Sequence, residues 1–121
     1  MKVLLIEDDY GTAEVIRICL EIQHPGTIIV NAVKGRDGIE MVKSEKPDLV
    51  ILDLGLPDIN GLQVLDAIRL FSEVPVMVTS AMSEDAPIST IKEKGANDYL
   101  SKPFLLNDFL IHFDNFISKS G

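Results

Sequence analysis

Leu49-Val50-Ile51-Leu52-Asp53-Leu54-Gly55-Leu56-Pro57 holds four consecutive apolar residues that run into an acid and then a Gly/Pro-bearing turn. An apolar run of that length without alternation reads as a strand buried on both faces, the condition of a parallel sheet covered by helices. Asp53 then stands where such a strand leaves the sheet.

Working outward, Val3-Leu4-Leu5-Ile6 is a second run of the same kind, ended by Glu7-Asp8-Asp9. Thr27 to Val30 and Val74 to Val78 are similar, and Asp98-Tyr99-Leu100 is a shorter one between Gly95 and Pro103. Amphipathic stretches lie between them. Thr12 to Ile22 carries Val15, Ile18, Cys19 and Ile22 at helical spacing and stops before Pro25-Gly26. Asp37 to Ser44 presents Ile39, Met41 and Val42, with Gly35-Arg36-Asp37-Gly38 read as a loop entering it. Asn60 to Phe71 presents Leu62, Val64, Leu65 and Ile68, with Asn60 as N-cap. Ser83 is the expected cap of the next helix, with Pro87 in its first turn. Phe109, Leu110, Phe113, Phe116 and Ile117 give the last helix one broad apolar stripe. Strict alternation of strand and helix predicts an α/β fold, a doubly wound parallel sheet of five strands with five helices. Ligands of such sheets sit beyond the carboxyl ends of the strands.

The chain has 121 residues, the size of one domain spanning 1–121, and 46% hydrophobic residues, enough for a core without disulfides. A net charge of −8 disfavours direct binding to nucleic acid or to an anionic membrane. No apolar stretch is long enough to cross a bilayer, and the N-terminus turns acidic too soon for a secretory signal. A single cysteine, Cys19, forms no internal disulfide, which points to the cytoplasm; it reads as a small hydrophobe inside the first helix.

The strand ends hold the chemistry. Glu7-Asp8-Asp9 follows the first strand, Asp53 ends the third, Thr79-Ser80-Ala81 the fourth, and Ser101-Lys102-Pro103 follows the fifth. Each alone is read as easily as a helix cap or a solvated turn. Together, crowded carboxylates repel one another, and a hard divalent cation such as Mg²⁺ relieves that cost. A carboxylate there can attack phosphorus, while an ammonium and a hydroxyl hold the other phosphoryl oxygens.

Leu5-Ile6-Glu7-Asp8-Asp9, Leu52-Asp53-Leu54-Gly55-Leu56-Pro57, Asn60-Gly61, Ser80-Ala81 and Gly95-Ala96-Asn97-Asp98-Tyr99-Leu100-Ser101-Lys102-Pro103-Phe104 resemble the receiver domains of two-component response regulators, nearest to receivers of winged-helix transcriptional regulators. The resemblance runs from end to end and implies the flavodoxin-like strand order 2-1-3-4-5. It implies that Asp53 is the phosphoryl acceptor, with Ser80 and Lys102 completing the catalytic set. It implies Mg²⁺ as cofactor, held by Glu7, Asp8, Asp53 and the backbone carbonyl of Gly55. Ser80 and Tyr99 become the switch pair, and the Lys102–Pro103 bond becomes cis. Asp9 matches no ligand position and is read as capping the first helix. The implied partners are a sensor histidine kinase or phosphotransfer protein and an output domain or partner protein, with room for a homodimer. The implied chemistry is limited to the domain's own phosphorylation and dephosphorylation.

Departures from the pattern fall at the output surface and at the residues that tune phosphate loss. His112, Asp114 and Asn115 stand where an arginine-rich last helix is usual, and Asn97 replaces a commonly acidic residue. Gly55 and Met82 lack the polar groups that would align a hydrolytic water, so a long-lived phosphate is expected. Gly55 also counts against a metal-dependent phosphohydrolase, which needs a second acid two residues after its nucleophile. The complete set Asp8, Asp53, Ser80 and Lys102 counts against an interaction module that has lost the chemistry. His24 and His112 are too isolated to form a metal site and read as surface or boundary histidines, and Met77 and Met82 read as packing.

Overall fold

The computed structural model describes residues 1–81 and 87–120. The elements alternate as expected: β1 (Lys2–Ile6), α1 (Tyr10–Gln23), β2 (Ile28–Ala32), α2 (Gly35–Glu45), β3 (Leu49–Asp53), α3 (Gly61–Arg69), β4 (Val76–Ala81), α4 (Ile88–Glu93), β5 (Asp98–Lys102) and α5 (Leu106–Ser120). All pairings are parallel and the strand order is β2-β1-β3-β4-β5. This is the flavodoxin-like order, and every residue of the central β3 is buried.

Side-chain alternation along the strands builds two cores. Leu4, Ile6, Val50, Leu52, Val76 and Val78 face Val42, Val64, Leu65, Ile68 and Ile91 from α2, α3 and α4. Val3, Leu5, Leu49, Ile51, Met77 and Leu100 face Ala13, Ile16 and Leu20 of α1 and Phe109 and Phe113 of α5. The helices therefore cover both faces, and no helix among the described residues is long and apolar enough to cross a membrane.

Helix α1 corrects the expected face. Val15, Ile18 and Ile22 are 47%, 46% and 67% exposed, while Ala13, Ile16, Cys19 and Leu20 are buried. Both sets recur at helical spacing, displaced by two residues and hence by roughly 200° around the axis. Periodicity cannot choose between two such stripes; contact with Val3, Leu5 and the α5 phenylalanines does. Cys19 packs as the small hydrophobe expected.

The start of α2 is a second correction. Gly35 to Gly38 form its first turn rather than a loop. A Cβ on Gly38 would lie 2.5 Å from Ile6 Cδ1, and one on Gly35 2.7 Å from Val64 Cγ2, so the helix approaches its neighbours where both residues lack a side chain. Asn60 caps α3 as expected and forms a capping box with Gln63. Pro87 sits at the N-cap of α4, just before the first turn where it was expected. The expectations for Ser83 and Met82 lie outside the described residues.

At the floor of the sheet, Arg69 ends α3 and gathers the neighbouring loops. Its Nε and Nη2 donate to the Gly95 carbonyl at 3.0 and 2.7 Å, and Nη1 donates to the Ser72 carbonyl at 3.1 Å. Nη2 also reaches Asn97 Oδ1 at 3.0 Å, an oxygen that accepts the Val76 N–H at 2.9 Å. Gly95 has φ of +105°, the left-handed region open to glycine.

Candidate functional site

Parallel strands deliver their last residues to one edge of the sheet. Glu7 follows β1, Asp53 ends β3 beside its register partner Thr79, and Ala81 of β4 pairs with Lys102 at the end of β5. Glu7, Asp53 and Ser80 are buried, whereas Asp8 is exposed. The structure thus brings together the residues that the sequence scattered over nearly a hundred positions.

Lys102 is the charge centre of the group. Its Nζ donates to Glu7 Oε1 at 2.6 Å and lies 3.5 Å from Asp53 Oδ1. The same Asp53 oxygen is 3.3 Å from the Gly55 N–H, and Glu7 Oε2 accepts the Asp9 N–H at 3.2 Å. Burial pushes the Glu7 carboxyl up to about 7, helped by the nearby Asp53 charge and opposed by the Lys102 hydrogen bond. Burial pulls Lys102 the other way, but its contacts with Glu7 and Asp53 outweigh that and hold its ammonium above the ordinary lysine value. The Lys102–Pro103 bond is cis.

One oxygen each from Glu7, Asp8 and Asp53 lies within 4.8 Å of the others. Three hard oxygen donors converge there with one ammonium nearby, a donor set that suits a hard divalent cation such as Mg²⁺ and no soft metal. An open cleft of about 590 Å³ lies alongside, between the start of α1 and the segment from Lys102 to Phe104.

Ser80 and Thr79 point to opposite faces of β4, in line with Val78 and Met77 respectively. Ser80 Oγ donates to its neighbour's carbonyl, Ala81 O, at 3.1 Å. Tyr99, the register partner of Val78, is half-buried and packs on the α2–α4 side, the face that Ser80 shares. Asp9 caps α1, its Oδ2 accepting the Thr12 N–H at 2.9 Å, as its sequence position suggested.

Sequence reasoning missed three polar links. Asp58 reaches back to α2, accepting the Gly35 N–H at 2.7 Å and the Arg36 N–H at 3.0 Å. His112 Nδ1 pairs with Asp98 Oδ2 at 2.6 Å, and His24 Nε2 with Asp114 Oδ1 at 2.8 Å. The two histidines pair with different aspartates. Asp98 opens β5 and His112 lies within α5, a separation any βα unit allows, but nothing in the sequence marks the His24–Asp114 pair, ninety residues apart.

The family model for the response regulator receiver domain matches residues 3–114. The chain belongs to that family. This receiver domain is 41% identical over 103 residues to the KDP operon transcriptional regulatory protein KdpE of Escherichia coli (strain K12), covering 85% of the chain and 45% of the relative. It is 35% identical over 122 residues to the cell cycle transcriptional regulator CtrA of Caulobacter vibrioides, covering 99% and 52%. Among solved structures, a two-component response regulator from Clostridium difficile superposes with a TM-score of 0.90 at 26% identity, covering 100% of this receiver domain and 98% of that chain. The chain spans about half the length of the curated relatives it matches. The resemblance to receivers of transcriptional regulators therefore holds, and the fold is the receiver fold.

Proposed function

We propose that Asp53 accepts a phosphoryl group, in a Mg²⁺-dependent transfer from a sensor histidine kinase or phosphotransfer protein. The observation that carries this reading is the convergence on Asp53: Lys102 Nζ 3.5 Å from its Oδ1, with oxygens of Glu7 and Asp8 within 4.8 Å. Glu7, Asp8, Asp53 and the Gly55 carbonyl would hold the ion. When bound, the ion offsets the crowded carboxylates and the charge on the phosphoryl oxygens.

The chain's own groups divide the remaining work. Asp53 is the nucleophile: its oxygen forms the new P–O bond as the P–N bond to the donor histidine breaks, and the departing imidazole keeps the bonding pair. Lys102 turns from Glu7 towards one phosphoryl oxygen. Ser80 leaves the Ala81 carbonyl to donate to another, and Tyr99 turns into the space on the same face. The resulting change of surface near Tyr99 is the output, read by another domain or a partner protein.

We further read residues 1–121 as one receiver unit working in the cytoplasm, its chemistry confined to its own aspartate. The charge of −8 supports an output by protein contact rather than by its own grip on nucleic acid. Intact-mass measurement after acetyl phosphate treatment tests the reading. The parent gains one phosphate with Mg²⁺ and none without, and Asp53→Asn gains none. A parent of unchanged mass, alongside a control receiver that is phosphorylated, overturns it, as does phosphate retained by the variant.

A further inference from the structure

The stretch that follows Asp53 touches the acceptor directly, since the Gly55 N–H faces Asp53 Oδ1. How that stretch is held therefore bears on how the carboxylate is presented. Its ends are tied to the sheet and to α3: the Leu54 N–H bonds the Thr79 carbonyl, the Gly61 N–H bonds the Leu54 carbonyl, and Asn60 opens α3. Between those ties, Asp58 grips α2.

That grip uses both carboxylate oxygens, Oδ1 on the Gly35 N–H at 2.7 Å and Oδ2 on the Arg36 N–H at 3.0 Å. Helix α2 has no cap of its own, because Lys34 at its N-cap makes no side-chain bond. Its first two amides are thus served by a residue 22 and 23 positions later in the chain. Hydrogen bonds from the Arg36 amide above all, and from Gly35, hold the Asp58 carboxyl below the usual carboxylate range. Beside the clasp, the bare Gly35 Cα seats Ile59, Leu56 and Val64 so closely that a Cβ would stand 2.8 Å from Ile59 and 3.2 Å from Leu56. A two-point polar grip and an apolar seam fix the same loop to the same helix end.

We infer that Asp58 is a positioning residue: by clamping the loop that follows Asp53 to the N-terminus of α2, it sets the geometry in which Asp53 and Gly55 meet the divalent cation. The inference rests on the reading of Asp53 and its neighbours as a cation-assisted phosphoacceptor. Linkage makes the coupling reciprocal, so occupation of the site must also steady the first turn of α2.

The test is a Mg²⁺ titration of the full chain by calorimetry, with amide exchange at Gly35 and Arg36 followed by NMR. In Asp58→Ala the Mg²⁺ Kd rises roughly tenfold, as for other groups that orient metal ligands from behind. Asp58→Asn, which loses one of the two acceptor oxygens, falls between. Phosphorylation of Asp58→Ala by acetyl phosphate returns towards the parental rate at saturating Mg²⁺, so the defect lies in cation affinity. In the parent, Mg²⁺ slows exchange at both amides, and in Asp58→Ala it does not.

A folded Asp58→Ala with the parental Kd overturns the inference, and so does exchange in the parent that ignores Mg²⁺. Should Asp58→Ala fail to fold, Asp58→Asn and the parental exchange decide. A parent that binds no Mg²⁺ instead removes the reading of the site itself, and shows this before any variant is made.

Discussion

Lys102 donates to Glu7 at 2.6 Å while lying 3.5 Å from Asp53, so the shorter contact of its ammonium is to the deeper carboxylate and not to the proposed acceptor. Removal of Lys102 leaves Glu7, 2% exposed, without its cation.

Glu7 makes that loss depend on pH. Its carboxyl is raised from the ordinary 4.5 to about 7 by burial. A raised acid contributes stability that is full below 4.5 and is lost as the pH rises through about 7. In Lys102→Ala the unprotonated carboxylate keeps the Asp9 N–H but has no cation, so the variant is destabilised by about 1–3 kcal/mol at pH 8 and by less at pH 5. Urea unfolding without divalent cations checks this, and a gap to the parent that does not widen between those two pH values refutes it.

The reassigned face of α1 predicts unequal neighbours. Ile16→Ala empties a fully buried site and costs about 2–5 kcal/mol. Ile18→Ala removes an exposed side chain two residues along and costs about 0.5 kcal/mol or less. Thermal or urea denaturation of the two variants reads the difference, and equal losses would restore the face expected from periodicity.

Gly38 is held open by Ile6. A Cβ there meets three Ile6 atoms between 2.5 and 3.0 Å, so Gly38→Ala costs about 1–3 kcal/mol despite alanine's better helix propensity. Shortening the partner with Ile6→Val in the same chain recovers part of that loss. A double-mutant cycle measures the coupling, and strict additivity would place the strain elsewhere.

Asn97 serves the fold through its oxygen. It accepts from the Val76 amide and from Arg69, so Asn97→Ala leaves a buried-strand amide unpaired at a cost of about 1–3 kcal/mol. Asn97→Asp keeps the acceptor and adds charge opposite Arg69, and is expected to match or exceed the parent in urea. A large loss in Asn97→Asp would show that the amide nitrogen carries the role instead.

The strands and the convergent acids were legible because both are nearly local properties. An unbroken apolar run names a buried parallel strand, and topology then brings the ends of β1, β3, β4 and β5 to one edge whatever the loops do. The face of α1 was not legible, because Ala13-Ile16-Leu20 and Val15-Ile18-Ile22 have the same spacing. Gly35 and Gly38 read as loop residues because their reason, close approach to Val64 and Ile6, is tertiary. Nothing in the sequence marked Asp58 for the same cause: its two amides are contributed by a helix that precedes it. The ends of β2 and β4 moved by one to three residues, where a run of β-branched side chains has no sharp edge.

Arg69 has a mechanical consequence. By joining the Ser72, Gly95 and Asn97 segments with one guanidinium, it anchors the starts of β4 and β5 to the end of α3. These two strands are then like beams built into a wall at one end, and Ser80 and Tyr99 ride on them. A displacement begun at the opposite edge then meets its resistance at this corner, where several hydrogen bonds must stretch together. The same corner is the wrong place to cut or insert, for a break there would free both beams at once.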